Sequence, residues 1–332
     1  MRRLYMKRLV FLVLLMMGGN LCFSQDPQFT QFYSSPVYLA PSFAGSTKGK
    51  RIATSYRNQW PALKKSFVTY SFSYDHYLHT VNSGLGLMFL REQAGTGILS
   101  TTNIGLSYSY HLKLNHEWRV IPGIELLYTQ NGLHFHKLTF GSQLLEDHKR
   151  SPEMAPPQNF TWDVDAGASA LFYSEDIWAG FSADHLLEPN ESLTAKESTI
   201  PMRFSLFGGM KIPINKSYGQ KNRENLFPAF HLMKQGKNSQ LNLGLYWNYT
   251  PFMIGMWYRG IPLIKDIPSN DAVALLVGYN IDQFNIGYSY DITVSNLAGL
   301  TQGAHEISLV YTFGEYKKPR EKWIKTPCPV MW

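Results

Sequence analysis

From residue 50 onward apolar side chains recur at every second position, and no comparable stretch carries a helical period. In Phe67 to Asp75 the positions Val68, Tyr70, Phe72 and Tyr74 are apolar, while Thr69, Ser71, Ser73 and Asp75 fall on the other face. Residues 101 to 113 set Ile104, Leu106, Tyr108, Tyr110 and Leu112 against Asn103, Gly105, Ser107, Ser109, His111 and Lys113. The same alternation runs through 240 to 247, 283 to 291 and 306 to 313. A chain so patterned must pair its strands, each with one apolar face and one face of small and polar residues.

The first 24 residues stand apart. Arg2, Arg3, Lys7 and Arg8 precede the apolar run Leu9 to Met17, and Cys22-Phe23-Ser24 offers small residues at the third and first positions before a cut ahead of Gln25. This is the layout of a cleavable export signal; the run is too short for a spanning helix, which needs roughly 20 apolar residues. The bulky Leu21 argues against lipidation at Cys22, so the mature chain is expected to begin at Gln25 with Cys328 as its only thiol. Beyond the signal no apolar segment could cross a bilayer as a helix, which leaves a soluble exported protein or a β-barrel.

Strands are predicted near 50 to 57, 67 to 75, 84 to 92, 101 to 113, 117 to 130, 162 to 173, 177 to 183, 201 to 213, 225 to 234, 239 to 248, 252 to 259, 271 to 279, 283 to 291 and 305 to 313. Pro228 fits the ninth of these only at a bulge or near a strand end. Connections after odd-numbered strands include the long ones, 58 to 66, 93 to 100, 131 to 161, 184 to 200, 260 to 270 and 292 to 304; those after even-numbered strands include short turns at 114 to 116, 249 to 251 and 280 to 282. Two break the parity, a long 214 to 224 and a short 235 to 238. Alternating long and short connections on an even strand count are what an outer-membrane barrel shows. A secreted sandwich would be richer in Val and Ile; here Tyr56, Tyr74, Trp118, Tyr173, Trp178, Trp247, Trp257, Tyr258 and Tyr279 lie near strand ends, as an interfacial girdle would. The fold class is therefore all-β, a transmembrane outer-membrane β-barrel of about 14 antiparallel strands. Its expected divisions are a signal peptide at 1–24, a non-strand segment at 25–48, the barrel at 49–314 and a basic periplasmic tail at 315–332.

Charge excludes one class of partner. Of 31 Lys and Arg, four lie in the signal, leaving 27 basic against 24 acidic side chains, so the folded part keeps no basic stripe for nucleic acid. With 8 Trp, 20 Tyr and 20 Phe and only 17% charged residues the chain is not disordered, and two Cys exclude a disulfide scaffold or thiolate cluster. His134 and His136 would share a strand face, but no acidic or thiol partner stands beside them to complete a metal site. Asp184-His185 resembles half of a hydrolytic dyad without a nucleophile, so a loop hydrogen bond is expected. Asp163 and Asp165 share a face and read as barrel lining paired with an Arg. Gly84-Leu85-Gly86-Leu87 lacks the third glycine and the helix of a nucleotide fold. No enzyme and no cofactor is expected. The tail holds Lys317, Lys318, Arg320, Lys322 and Lys325, which an acidic periplasmic partner could read.

Asp26-Pro27-Gln28-Phe29-Thr30-Gln31-Phe32, then Ser35-Pro36-Val37-Tyr38-Leu39-Ala40-Pro41 and Phe43-Ala44-Gly45, resembles the N-terminal signature of the PorP/SprF family of Bacteroidetes type IX secretion. The likeness continues in order through Tyr56-Arg57-Asn58-Gln59-Trp60-Pro61, Ser73-Tyr74-Asp75, residues 107 to 112, Ala183-Asp184-His185-Leu186, Trp257-Tyr258-Arg259-Gly260, residues 287 to 293 and His305-Glu306-Ile307-Ser308. Ala40 departs from it, since the family commonly has Asn before Pro41. The resemblance implies a non-enzymatic outer-membrane component that helps export or anchor large adhesins and in gliding bacteria supports motility. Its implied partners are the lipid bilayer, periplasmic scaffold proteins of the secretion system, or an adhesin with a C-terminal sorting domain. The polar inner face also suits a passive or selective pore.

Segment 25–48 has three prolines, several aromatics and no alternation, yet is too apolar to stay free in water. It is expected to dock on or inside the barrel mouth. Asp26, Pro27, Phe29, Gln31, Phe32, Tyr33, Pro36 and Pro41, with Arg57, Gln59 and Trp60 from the first strand, are the residues expected to contact a partner or plug the barrel.

If the even positions of 101 to 113 face lipid, Leu106→Arg should cost roughly 2 to 4 kcal/mol and Ser107→Arg far less. Heat-modifiable gel mobility reads the folded fraction of each; equal losses would remove the face assignment.

Overall fold

In the computed structural model of the chain, the residues described are 26–63, 67–95, 98–138, 159–193, 198–214, 224–262, 272–294 and 301–314. The expected signal, the basic tail and Cys328 lie outside them. Fourteen strands follow the segment: β1 Lys50–Gln59, β2 Phe67–Leu78, β3 Ser83–Ala94, β4 Leu99–Tyr110, β5 Arg119–Leu133, β6 Phe160–Tyr173, β7 Ile177–Asp184, β8 Arg203–Met210, β9 Glu224–Gln235, β10 Asn238–Tyr249, β11 Phe252–Pro262, β12 Ala272–Ile281, β13 Phe284–Thr293 and β14 Ala304–Phe313. Each pairs antiparallel with its sequence neighbours, and β1 pairs with β14 from Lys50↔Phe313 to Gln59↔Ala304, which closes the barrel.

Two ladders are interrupted, and proline causes both breaks. Leu112–Lys113 continues β4 along β5 in unchanged register, Leu112↔Val120 after Ser109↔Gly123, and the missing bridge is Tyr110 opposite Pro122. Ile212–Pro213 likewise continues β8 along β9, Ile212↔Leu226 beyond Gly209↔Ala229, with Pro228 opposite Met210. The sequence suggested a bulge or a strand end for Pro228, but it sits at neither; it lacks the N–H that the ladder needs there and the strand simply carries on. The true bulge lies between β10 and β11, where the register shifts between Leu241 and Leu243.

The faces follow the alternation. Leu106 is 62% exposed and faces outward with Ile104, Tyr108 and Tyr110, whereas Ser107 and Ser109 are buried inside. Tyr56, Trp118, Trp247, Tyr258 and Tyr279 stand on the outer surface as a girdle requires. Tyr173, Trp178 and Trp257, expected in that girdle, are instead buried in the lumen, because they fall on the inward parity of their strands. Both parity exceptions persist, with β8 and β9 separated by 214–223 and β9 and β10 by a two-residue turn at Gly236. The connection between β3 and β4 is shorter than expected, closing over 95–98 with Gly95 at a positive φ of 64°.

The interior is occupied. Residues 26–49 run through the lumen as two 3-10 turns, Phe32–Ser34 and Pro41–Phe43, around one helical turn, Pro36–Leu39. They begin near Arg203, at the end that carries the connections after odd strands, and finish near Asp75 and Gly84 at the end of the short turns. Burial is nearly complete from Phe29 to Ser46. The segment fills the barrel along its length rather than resting at its mouth.

The wall is cut to fit. A Cβ on Gly84 would collide with the carbonyl of Ala44, one on Gly123 with the backbone of Pro41 and Ser42, and one on Gly86 would press on Ala44 and Val37. The Gly-x-Gly of β3 is thus clearance for a passing chain.

Ser107, only 3% exposed, borders this filled space, so an arginine there should spare the barrel but not the seating of the segment. Leu106→Arg should still fail at the lipid face, while Ser107→Arg should form the barrel and expel the segment. Limited proteolysis of the heat-modifiable form should then cut within residues 26–49 of the Ser107→Arg variant alone.

Candidate functional site: the lumen and the segment that fills it

Three cross-strand arginine–carboxylate pairs grip the segment along its length. In each the two residues are direct register partners, Arg57↔Glu306, Arg51↔Asp75 and Arg203↔Asp184, so the β-ladder itself sets guanidinium beside carboxylate.

The middle grip is the densest. Arg57 reaches Asp291 at 2.7 Å and Glu306 at 3.1 Å, and Arg259 reaches Asp291 at 2.6 Å. Arg259 stands beside Gly260, whose φ of 84° and N–H bond to the Asn242 side chain mark the β10–β11 bulge. Into this group the segment inserts Thr30, whose hydroxyl donates to Asp291 and accepts from Arg57 and Arg259 at 2.7 Å each. Glu306 accepts the successive backbone N–H groups of Thr30 at 2.8 Å and Gln31 at 3.0 Å. Gln31 spends its side chain on Ser289, Ser308 and the carbonyl of Glu306. An extended chain without a ladder partner must satisfy its main chain in this way.

At the short-turn end Arg51 bonds Asp75 at 2.7 Å and the carbonyl of Phe43 at 3.0 Å, and the second Asp75 oxygen accepts Gly45 N–H at 2.9 Å. Ser169 and Ser109 hold the backbone of Ser42 and Ala44.

At the other end β6 outruns its neighbour, since it pairs with β7 only over Ala168–Tyr173. Above that, Asp163 and Asp165 cap the N–H groups of Val164 and Ala166, and the Ala166 carbonyl accepts Leu186 N–H. In this notch Asp26 meets Arg203 at 2.6 Å and His185 at 2.9 Å, and His185 meets Asp165 at 2.6 Å. The expected Asp165–Arg pairing is thus an Asp165–His185 pairing, with Asp163 turned to backbone N–H groups; the turn after β7, which gives His185 a positive φ of 58°, brings the imidazole there first. Burial disfavours charge on both groups, but Arg203 and His185 outweigh it and hold the Asp26 carboxyl at about 2. Burial likewise opposes protonation of His185, and its bonds to Asp165 and Asp26 overcome this and lift it to about 10. Beside the notch lies a cavity of about 40 Å³, room for a few waters, bounded by Asp26, Tyr38, Glu125 and His185.

Between the grips the contacts are aromatic and one-sided. Phe32 packs edge-on to Trp257 with centroids 5.0 Å apart, Tyr33 to Tyr246 at 5.1 Å, and Phe43 lies against Phe207 and Trp178. Ile121, Leu171, Met253, Ala274 and Leu276 complete this apolar half of the wall, from β5 to β12, whereas β13, β14 and β1 to β4 present mainly serines and ion pairs.

Of the residues singled out in the sequence, Asp26, Pro27, Phe29, Gln31, Phe32, Tyr33, Pro36 and Pro41 all lie in the lumen, and Arg57 meets them there. Tyr38 donates to the carbonyl of Pro27, and Phe29 stacks edge-on against Tyr38 at 5.2 Å. Gln59 and Trp60 are not brought to the segment; Trp60 packs on Phe67 and donates its N–H to Gly303. His134 and His136 fall after β5, next to and within a 3-10 turn, not on a strand face, and among the described residues no group of three or more His, Cys, Asp or Glu could hold a metal. Missed by sequence reasoning were Arg51, Arg203, Arg259, Asp291 and Glu306. Their signal was a charge on strand positions otherwise given to Ser, Gly and Thr.

Over residues 21–311 the sequence matches the family described as type IX secretion system membrane protein PorP/SprF. The chain belongs to this family. It is an outer-membrane β-barrel and a membrane component of type IX secretion, and it resembles such components, not enzymes. No curated protein matches it. Solved structures similar to it include outer-membrane channels and porins. The CymD monoaromatic hydrocarbon channel has a TM-score of 0.47 at 11% identity, covering 85% of this chain and 94% of that one. The Ralstonia pickettii toluene transporter TbuX has 0.47 at 9%, covering 85% and 94%, and Acinetobacter baumannii Omp33 has 0.39 at 7%, covering 79% and 98%.

Two outcomes follow from the grips. Arg57→Ala leaves Glu306 buried without its cation and should destabilise the folded form by about 3 to 5 kcal/mol, against under about 0.5 for Gln59→Ala, read as guanidinium unfolding midpoints in detergent. For the notch, the raised His185 contributes fully below its ordinary 6.5 and loses its contribution as pH climbs through about 10, while the lowered Asp26 contributes above its ordinary 3.8 and loses it as pH falls through about 2. Amide exchange of the segment's first residues, corrected for intrinsic rates, should be slowest between those two ordinary values and quicken on either side.

Proposed function

We propose that the barrel is a non-enzymatic anchor that helps export or retain a large adhesin at the cell surface and, in a gliding cell, supports motility. The observation that carries this reading is the filled lumen. A passive pore needs an open path, and here the chain's own segment occupies it from one end to the other. An occupied barrel suits a fixed platform, and family membership supplies the secretion system as its setting. The partner is an adhesin with a C-terminal sorting domain or a periplasmic scaffold protein of the same system. The basic tail, read as periplasmic, is the part of the chain whose charge suits an acidic partner there.

Phe32 is where wall and segment meet, against Trp257 and His231, while Phe29 braces the segment internally against Tyr38. Each aromatic, when fully buried, contributes roughly 1.5 to 3 kcal/mol. The double variant Phe29→Ala with Phe32→Ala should leave the barrel assembled and abolish adhesin display. Heat-modifiability and surface adhesin measured in the same cells decide, since assembly falling in step with display would make the residues braces only.

A further inference from the structure

The barrel wall is complete without the segment that fills it. Closure runs through β14–β1 and β8–β9 pairing, and among the described residues none before Lys50 takes part in any ladder. The ion pairs are complete too. Arg57–Glu306, Arg57–Asp291, Arg259–Asp291, Arg51–Asp75 and Arg203–Asp184 all join wall to wall, so withdrawing the segment removes Asp26 and leaves Asp75, Asp184, Asp291 and Glu306 each with an arginine.

What the segment does provide is a cover for the aromatic half of the lumen. Trp178, Phe207, Tyr246 and Trp257 form a stripe that water would otherwise wet, and facing it are hydroxyls and a carboxylate set to receive a peptide backbone. Such a two-faced channel is chemically a peptide site. One wall takes Phe and Tyr side chains edge to face, and the opposite wall takes successive backbone N–H groups and a Gln or Thr side chain.

We propose that the lumen is a binding site for an aromatic, Gln- and Thr-bearing peptide folded in short turns, occupied in cis by residues 26–46, and that the barrel conducts once this ligand is gone. The segment is then a tethered ligand and the seal of a latent pore. Nothing in this depends on the secretion role: conductance is read on purified protein and adhesin display in cells, so either can fail alone.

The test compares full-length protein with a variant lacking 26–44, each in planar bilayers, with heat-modifiability confirming a folded barrel. Full-length protein should be silent and the shortened one should conduct steadily. A synthetic peptide of residues 26–46 should return the shortened form to silence, and the same peptide with Thr30→Ala, Gln31→Ala and Phe32→Ala should not. Should the shortened chain fail to fold, a protease site placed in the turn at 46–49 of the full chain is cut after folding, and the segment is washed out with mild denaturant and its loss verified by mass spectrometry. A folded, segment-free barrel that stays silent overturns the pore. One that conducts yet ignores the wild-type peptide overturns the binding site, as does equal block by both peptides.

Discussion

A guanidinium buried within a membrane protein is tolerated only where carboxylates meet it at close range, and Arg57 satisfies that demand in a way that organises much of the molecule. Its partners Asp291 and Glu306 lie on the last two strands while it lies on the first, so one side chain crosses the seam where the two ends of the sheet meet. The acceptor capacity these carboxylates have left over goes to Thr30 and Gln31. The seam and the seat of the segment therefore share one hydrogen-bonded network, in which the wall pairs stand without the segment and the segment has its seat only through them.

The same economy recurs at Arg51 and Arg203. A ladder that puts arginine opposite carboxylate neutralises charge inside the wall, and the donors and acceptors left over face the axis. The segment needs little regular structure of its own because the wall supplies partners for its backbone, and the short turns at Phe32–Ser34, Pro36–Leu39 and Pro41–Phe43 are each placed against glycine, serine or an aromatic ring. Prolines at 36 and 41 suit such a path, since each begins a turn and lacks an N–H that would need a partner.

Much of the barrel was legible from alternation alone, since lipid on one side and lumen on the other impose period two on every strand. The faces of β2, β4, β10, β13 and β14 read correctly for that reason. The aromatic girdle was read too generously because nearness to a strand end was taken as enough; parity would have turned Tyr173, Trp178 and Trp257 inward. That half the lumen is apolar was not legible, because an inward tryptophan is explicable only when something is there to cover it. For the same reason Arg51, Arg203, Arg259, Asp291 and Glu306 passed as scattered charges. Their pairing depends on register across strands far apart in sequence, which no local pattern records. His185 was legible as a hydrogen-bonding residue but not its partners, which come from β6 and from the segment.

Closing a cylinder whose first and last strands lie at opposite ends of the chain carries a large loop-closure entropy, incurred before the seam pairing can offset it. Residues 26–46 touch β1, β2, β3, β5, β6, β11, β13 and β14 by side-chain bonds or close packing. In the closed barrel a segment with contacts that widely distributed is a spindle: strands that share no ladder, such as β2, β6 and β11, share one partner on the axis.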